Sequence, residues 1–532
     1  MTPSDSGPRF QNKMGAAIFA ALFLCGGTAV WGQGEITVTA QSGGLELSGQ
    51  YLGFDGEYLR LQTDEGEVTL DYERVTCVGA DCPDPESWTD KLAFGGTPRL
   101  GELILPALVE GYARSRAVPF ERADDGAGRF VYRLTGAATR QDAEFSFQLS
   151  DTDAGFAELL YREIDVLMAT RALSDAELAL GRASGLGDLG AASQVRVVAY
   201  DAVVPVVSPM SERRQMTFLE LARIFGGDVG SWSVVGGPDL PVSLHLGSDD
   251  TGYVTQFERM ILAPSGRDLS DSVTVHPNDT ALVTKVLEDP GAIGLVSFET
   301  VGNAVPLPLT GACGLQTEAN LDTVRTGDYP LSFPLYLHLP QRRLGPVGHD
   351  FLEWIGGNEA QRILRRIGVP GQMSVRLPIS GQGERLLAAI RVADGPQDFE
   401  AVSRLAAVIN GHDRLSPTFG FQAGETDLTP ASTARLRALA QAMLVGEFQG
   451  QELLLLGFSD GRGQPAANLV LSERRAEVVR AELLDLLGGE LPSGQTLTAM
   501  GMGDVMPLGC DDTPWGRRLN RRVELWAPVP AR

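Results

Sequence analysis

The sequence predicts a mixed α/β protein preceded by a small all-β module. Three observations carry that reading. Apolar strand-like runs at 195–207 and 292–298 alternate with helical patterns at 217–225, 256–262 and 350–367. Near the N-terminus, Asp55-Gly56 and Glu65-Gly66 separate short half-buried runs marked by Leu45, Leu47, Tyr58, Leu59, Leu61, Val68 and Leu70. Such dipeptides between strands signal hairpin turns. Beyond residue 412, strand and helix patterns alternate again on a shorter scale.

At 532 residues the chain is long enough for about three or four domains. The hydrophobic content of 43% is sufficient for real cores, and the formal charge of -24 argues against nucleic acid or anionic membrane surfaces as partners. The histidines, at 245, 276, 338, 349 and 412, have no ligand spacing, and no Cys/His cluster exists. Neither a metal nor a cofactor is expected.

Residues 1–32 read as a secretory signal. Arg9 and Lys13 precede an apolar run from Ala16 to Trp31, and the small residue Gly32, with Val30 two before it, offers a cleavage point. Cys25 follows Leu24, whereas a lipoprotein signal has a small residue there, so lipidation is not expected. With Cys25 removed, Cys77, Cys82, Cys313 and Cys510 remain, and an even number in an oxidising compartment suggests two disulfides. Three pairings are possible. The turn-like spacer Val-Gly-Ala-Asp favours a local Cys77–Cys82 bridge, which would leave Cys313 with Cys510.

Residues 33–89 form the expected β module, a packing or interaction element without chemistry. An α/β region follows at 90–375. A connector at 376–412 holds Gly381-Gln382-Gly383 and a helical stretch around 397–409. The last domain, 413–532, reads as a strand at 418–421, a helix at 431–444, a strand at 452–458 and a helix at 469–487. Further strands are expected near 496–500 and 521–526. On its second helix Leu471, Val478, Val479, Leu483 and Leu487 make a core-facing stripe, which turns Arg475 partly away from the core.

The most informative motif lies in this last domain. Asp460-Gly461-Arg462-Gly463 follows the apolar run Leu453 to Leu456, and Asn468, Leu471-Ser472 and Arg475-Ala476 come next. Gly516-Arg517 and Asn520-Arg521-Arg522-Val523-Glu524 complete it. A turn carboxylate and a helix guanidinium brought together make a clamp for a zwitterion, since Arg grips a carboxylate while Asp accepts from an ammonium. Over roughly residues 413–527 this pattern resembles the OmpA-like C-terminal domain, which binds peptidoglycan. The resemblance implies that Asp460 and Arg475 hold the diaminopimelate of the stem peptide, with Asn468 and Ser459 in the same site. Phe458-Ser459 stands where the family usually has His-Thr. Gly457-Phe458-Ser459-Asp460-Gly461 also fits a hydrolase nucleophile pattern, but no His follows Ser459, so that triad cannot form. An enzyme is not expected.

The middle region resembles the phosphate-binding type II periplasmic solute-binding proteins of ABC transporters, which are two-lobed. The pieces that carry the resemblance are Gly95-Gly96-Thr97, the run Asp165 to Arg171, Arg196 to Asp201, Phe218 to Phe225, Trp232, Gly236 to Asp239, Tyr329-Pro330-Leu331 and Phe351 to Ile355. Such proteins hold oxyanions with helix N-termini, hydroxyls and an Arg. The resemblance implies solute contacts from Gly96, Thr97, Thr170, Arg171, Thr251 and Gly252. Two departures bear on the ligand: Tyr253 replaces a small hydroxyl residue, and Gly247 stands where phosphate binders place an Arg. The combined expectation is a periplasmic, cell-wall-associated binding protein. Its partners would be the peptidoglycan stem peptide, a small anion such as phosphate, and an envelope or transporter protein. The alternative is a structural envelope protein whose solute-binding-like domain docks a protein partner.

Overall fold

A computed structural model describes residues 35–85, 87–126, 128–136, 142–191, 193–248, 252–421 and 426–530. The expected signal, Cys25 and Thr251 lie outside these residues. The chain divides into two compact units, Met1–Pro83 and Asp84–Arg532.

In the first unit five strands, Glu35–Ala40, Glu46–Phe54, Tyr58–Thr63, Gly66–Asp71 and Val75–Val78, form one antiparallel sheet. Its order is fourth, third, second, first, fifth. Both predicted turn dipeptides sit at its hairpins. The Asp55 carboxylate accepts from the backbone N–H groups of Glu57 at 3.0 Å and Tyr58 at 2.7 Å, closing the first turn. Ile36, Val38, Leu59, Leu61 and Val75 make the core, while Leu45, expected to be half-buried, is exposed ahead of its strand. So small a core benefits from a covalent staple, and Cys77–Cys82 supplies one.

The second unit begins with a large mixed sheet. The thirteen-residue strand Val195–Val207 is its backbone, and all its residues but Arg196 are buried. Such a continuous apolar run suits a strand covered on both faces. Its first part, through Ala202, pairs with Ser332–His338, and its last part, from Val203, pairs with Ala292–Ser297. One strand thereby enters both lobes. On one side the order continues through Val166–Ala169, Thr89–Gly96, Asp142–Leu149, Arg129–Leu134 and Phe120–Gly126; on the other it continues through Ser243–Leu246 and Thr274–Val275.

The C-terminal region is a five-stranded α+β sheet in the order Arg376–Leu377, His412–Gly420, Arg522–Pro528, Glu452–Phe458, Thr496–Gly501. The run Leu453-Leu454-Leu455-Leu456 alternates between its two faces, so each face needs cover. Leu453 and Leu455 pack with Leu436, Leu439, Val479 and Leu483 of the helices Pro430–Leu444 and Pro465–Leu486. Leu454, Leu456 and Trp526 pack with Ala389, Val402, Leu405 and Ile409 of the helices Gly383–Val392 and Pro396–Ile409. The stretch 376–412, expected as a connector, therefore forms an edge strand and the second helical layer of this domain.

A second correction concerns the helix Pro465–Leu486. Its buried face is Asn468, Ser472, Arg475, Ala476, Val479 and Leu483, with Leu471 and Val478 at its margins. Arg475 is 0% exposed instead of rim-like. The cause is a close helix–strand approach: a Cβ on Gly457 would lie 1.9 Å from the Ser472 carbonyl oxygen, so only Gly fits.

The two regions of this unit are docked against each other. Cys313 and Cys510 are disulfide-bonded across a sequence separation of 197. Trp515 stacks on Phe218 with centroids 5.1 Å apart and donates its indole N–H to the Met260 carbonyl. Arg435 donates to the Tyr200 hydroxyl at 2.8 Å, with its guanidinium 4.4 Å from that ring. At the centre Arg414, 1% exposed, donates to Asp328 at 2.9 Å and lies 3.5 Å from the fully buried Glu524. Glu524 is also paired to Arg385 and, at 2.7 Å, to Arg522. Burial pushes the Glu524 carboxyl up, but Arg385, Arg414 and Arg522 outweigh it and hold the group well below the usual carboxylate range. Asp328 is likewise held low against burial by Arg414.

Removing one partner of a buried pair strands the others. Arg414→Met is expected to cost about 3–5 kcal/mol in urea unfolding. Because both carboxyls titrate lower in the folded state, their contribution is present above the ordinary carboxylate pKa of about 4 and is lost as pH falls below it. The Arg414→Met difference should shrink along the same acid limb.

Candidate functional sites

The first candidate site lies at the end of the Glu452–Phe458 strand. The strand register sets Phe458 opposite Arg522, which brings Arg521 beside Ser459 and Asp460. Asp460 accepts from Arg521 at 2.9 Å, and its other oxygen accepts from the Arg462 backbone N–H at 3.3 Å. Arg475 lies behind them, with its guanidinium 5.4 Å from the Phe421 ring. Burial, and then the Arg521 charge, bring the Arg475 guanidinium down to about 10, with Asp460 opposing. The site therefore brings the Asp460 carboxylate together with the guanidinium groups of Arg521 and Arg475, groups of the kind that grip a ligand carboxylate.

Two more acids surround the turn. Asp511 accepts from the Gly461 N–H at 2.8 Å and from Asn520 at 2.9 Å, and burial raises its carboxyl. Asp504 accepts from Asn468 at 3.4 Å. Both carboxylates lie close to Gly461. A ligand ammonium would find acceptors here, so the arrangement carries both halves of a zwitterion clamp. Ser459 bonds through its backbone N–H to the Gly503 carbonyl at 2.8 Å, and its buried hydroxyl has no hydrogen-bond partner among the described residues. The motif in the sequence contains Arg521 but gives it no role in the clamp. Its partner is 61 residues away, and only the strand register joins them. Arg522 is structural: it is buried, bonded to Glu524 and the Met506 carbonyl, and lies over the Phe458 ring.

The second candidate site joins loops of the two lobes. Gly96 has φ +120, and a Cβ there would lie 2.1 Å from the Met168 carbonyl oxygen. Thr97 follows, fully buried, with its N–H on that carbonyl at 3.0 Å. Thr170 is buried with its N–H on the Thr152 hydroxyl at 3.2 Å, and the two hydroxyls are 3.5 Å apart. Gly252, at φ +77, opens the helix Tyr253–Phe257 so close to Thr170 that a Cβ would lie 2.7 Å from its hydroxyl. Gln256 of that helix donates to the Thr170 carbonyl. Gly96, Thr97, Thr170 and Gly252 are thus brought into one neighbourhood, with Thr152 as an added hydroxyl that no motif pointed to.

The expected cation is used elsewhere. Arg171 forks onto Glu177 at 2.7 and 2.8 Å and also pairs with Asp153. Glu177 reaches it because Ser174 and Glu177 form the capping box of the next helix. The nearby Arg99 is held by Asp201 and, at 2.6 Å, by Glu299. Beside Gly247, where an Arg was expected in phosphate binders, stands Asp279. One of its oxygens accepts from Ser297 N–H at 3.2 Å and Thr300 at 2.5 Å; the other is buried without a hydrogen-bond partner among the described residues.

Comparison with known proteins gives two separate matches. Residues 133–359 match the model of a PBP superfamily domain, and residues 420–521 match that of the OmpA family. Protein SphX of Synechococcus elongatus is 28% identical over 205 residues, covering 36% of this chain and 59% of that protein. The phosphate-binding protein PstS of Bacillus subtilis is 26% identical over 166 residues, covering 31% and 53%. The peptidoglycan-associated lipoprotein of Pseudomonas aeruginosa is 34% identical over 112 residues, covering 21% and 62%. The chain thus spans 53% to 62% of these relatives' own lengths. By their names the last two are binding or wall-associated proteins. The chain joins a region similar to the PBP superfamily domain to a region similar to the OmpA family.

Proposed function

We propose that this protein is a periplasmic binding protein held non-covalently at the cell wall, with the C-terminal region gripping the peptidoglycan stem peptide. The observation that carries this reading is Asp460 set between Arg521 and the buried Arg475, with Asp504 and Asp511 at the same turn. The diaminopimelate side chain ends in an amino acid: its carboxylate suits the guanidinium pair, and its ammonium suits the acids. Among the described residues no helix is long and apolar enough to cross a membrane, which is compatible with retention by the wall.

For the lobed region the reading is a protonated oxyanion, hydrogen phosphate in particular. Hydroxyls and helix-opening backbone at Thr97, Thr152, Thr170 and Gly252 are the uncharged groups that suit an oxyanion. The lone acceptor on Asp279 favours a ligand with a proton to donate, which hydrogen phosphate has and sulfate lacks. The name of the Bacillus subtilis relative points the same way. A second reading, in which the lobes dock a protein partner, is favoured by the commitment of Arg99 and Arg171 to carboxylates and by the tight Thr170–Gly252 contact.

Two experiments test these readings. The wild-type chain should sediment with purified peptidoglycan, and Asp460→Ala and Arg475→Met should each bind at least about ten-fold more weakly, a loss of one charge-assisted contact. Equal sedimentation of all three proteins would refute the anchor. In the second experiment, millimolar phosphate should raise the melting temperature while sulfate should not; a response to neither favours the docking reading.

A further inference from the structure

Between the lobed region and the C-terminal region lies a cavity of about 260 Å³ that belongs to neither site above. It is lined from one side by Arg325 and Asn358, from the other by Arg435, Gln441 and Glu447, with Ser374 on the segment between them. Two atoms of this lining are buried without a hydrogen-bond partner among the described residues. Arg325 is 9% exposed, and its Nε has no hydrogen-bond partner among the described residues; the Ser374 hydroxyl is buried in the same condition. Arg325 reaches Asp322 only at 3.4 Å, and that carboxylate is largely in solvent, so the pair neutralises little of its charge.

Arg435 adds a second guanidinium. Its donors go to the Tyr200 hydroxyl and to the carbonyls of Thr418, Thr326 and Arg325, all neutral acceptors. Among the described residues no carboxylate is within ion-pair distance of it. In a chain with 68 acidic and 44 basic residues, two guanidinium groups in one cavity whose single carboxylate partner is the partly exposed Asp322 call for an explanation. Glu447 is the sole acid of the lining, and burial pushes its carboxyl up, which lessens the repulsion an incoming anion meets.

We infer that this cavity binds a small carboxylate-bearing molecule, whose carboxylate sits on Arg325 and Ser374 and whose remaining polar groups meet Arg435 and the amides of Asn358 and Gln441. The volume falls just below the range of about 300–1,000 Å³ usual for drug-sized ligands, which suits a di- or tricarboxylic acid or an amino acid. The cavity is larger than a phosphate ion needs. Because both regions supply walls, an occupant would tighten their docking.

The test is titration calorimetry of the full chain with succinate, citrate and L-glutamate at up to millimolar concentration, with inorganic phosphate saturating throughout. At least one acid should bind with one-to-one stoichiometry. Arg325→Gln should weaken it ten-fold or more, and Ser374→Leu, which fills the space, should abolish it. Arg475→Met distinguishes the wall site: a signal lost there but kept in Arg325→Gln and Ser374→Leu overturns the proposal. So does binding by none of the three acids. Melting curves check that each variant folds, and where Arg325→Gln does not, Ser374→Leu decides.

Discussion

Arg414 is the residue on which the arrangement of the larger unit depends. It is buried between Asp328 of the lobed region and Glu524 of the C-terminal sheet, so the charge that joins the two regions is out of water. Transfer of these groups from solvent is costly, and it is offset only because each has a partner of opposite sign. Pulling the regions apart would break the Asp328–Arg414 pair while leaving the pairs of Glu524 with Arg385 and Arg522 intact. The network therefore specifies one docked geometry; the Trp515–Phe218 stack and the Cys313–Cys510 bridge hold its far end.

The same strand serves docking and the proposed wall site. Along Arg522–Pro528, Arg522, Glu524 and Trp526 face the layer of helices Gly383–Val392 and Pro396–Ile409, while Val523 and Leu525 enter the opposite core. One residue before the strand, Arg521 meets Asp460. The position of the Arg521 guanidinium beside Asp460 is thus fixed by the element that carries the docking charge. A solute-holding region and a wall-holding region on one body would keep a captured ion at a set place relative to the wall, which a flexible linker would not do.

Much of this was legible in the sequence because local chemistry determined it. Asp55-Gly56 and Glu65-Gly66 need only their own backbone to make turns, and the run of four leucines is apolar enough to be read as a strand. The pattern around Asp460 and Arg475 stands out in the sequence because it is compact, whatever its role. What stayed hidden depends on distant partners. Gly381-Gln382-Gly383 looks like linker punctuation until Leu454, Leu456 and Trp526 are seen to need the helices that follow it. Arg521 has no local signal as a site residue, since register alone places it. Arg171 looked available because neither Asp153 nor Glu177 is marked by sequence as its partner.

The most direct test of the account is differential scanning calorimetry of the full chain with and without a diaminopimelate-containing stem peptide. Apart from the small N-terminal module, the account predicts a single transition for residues 84–532, moved as a whole to higher temperature by the peptide. Separate melting of the lobed and C-terminal regions, with the peptide shifting one transition and leaving the other in place, would contradict it.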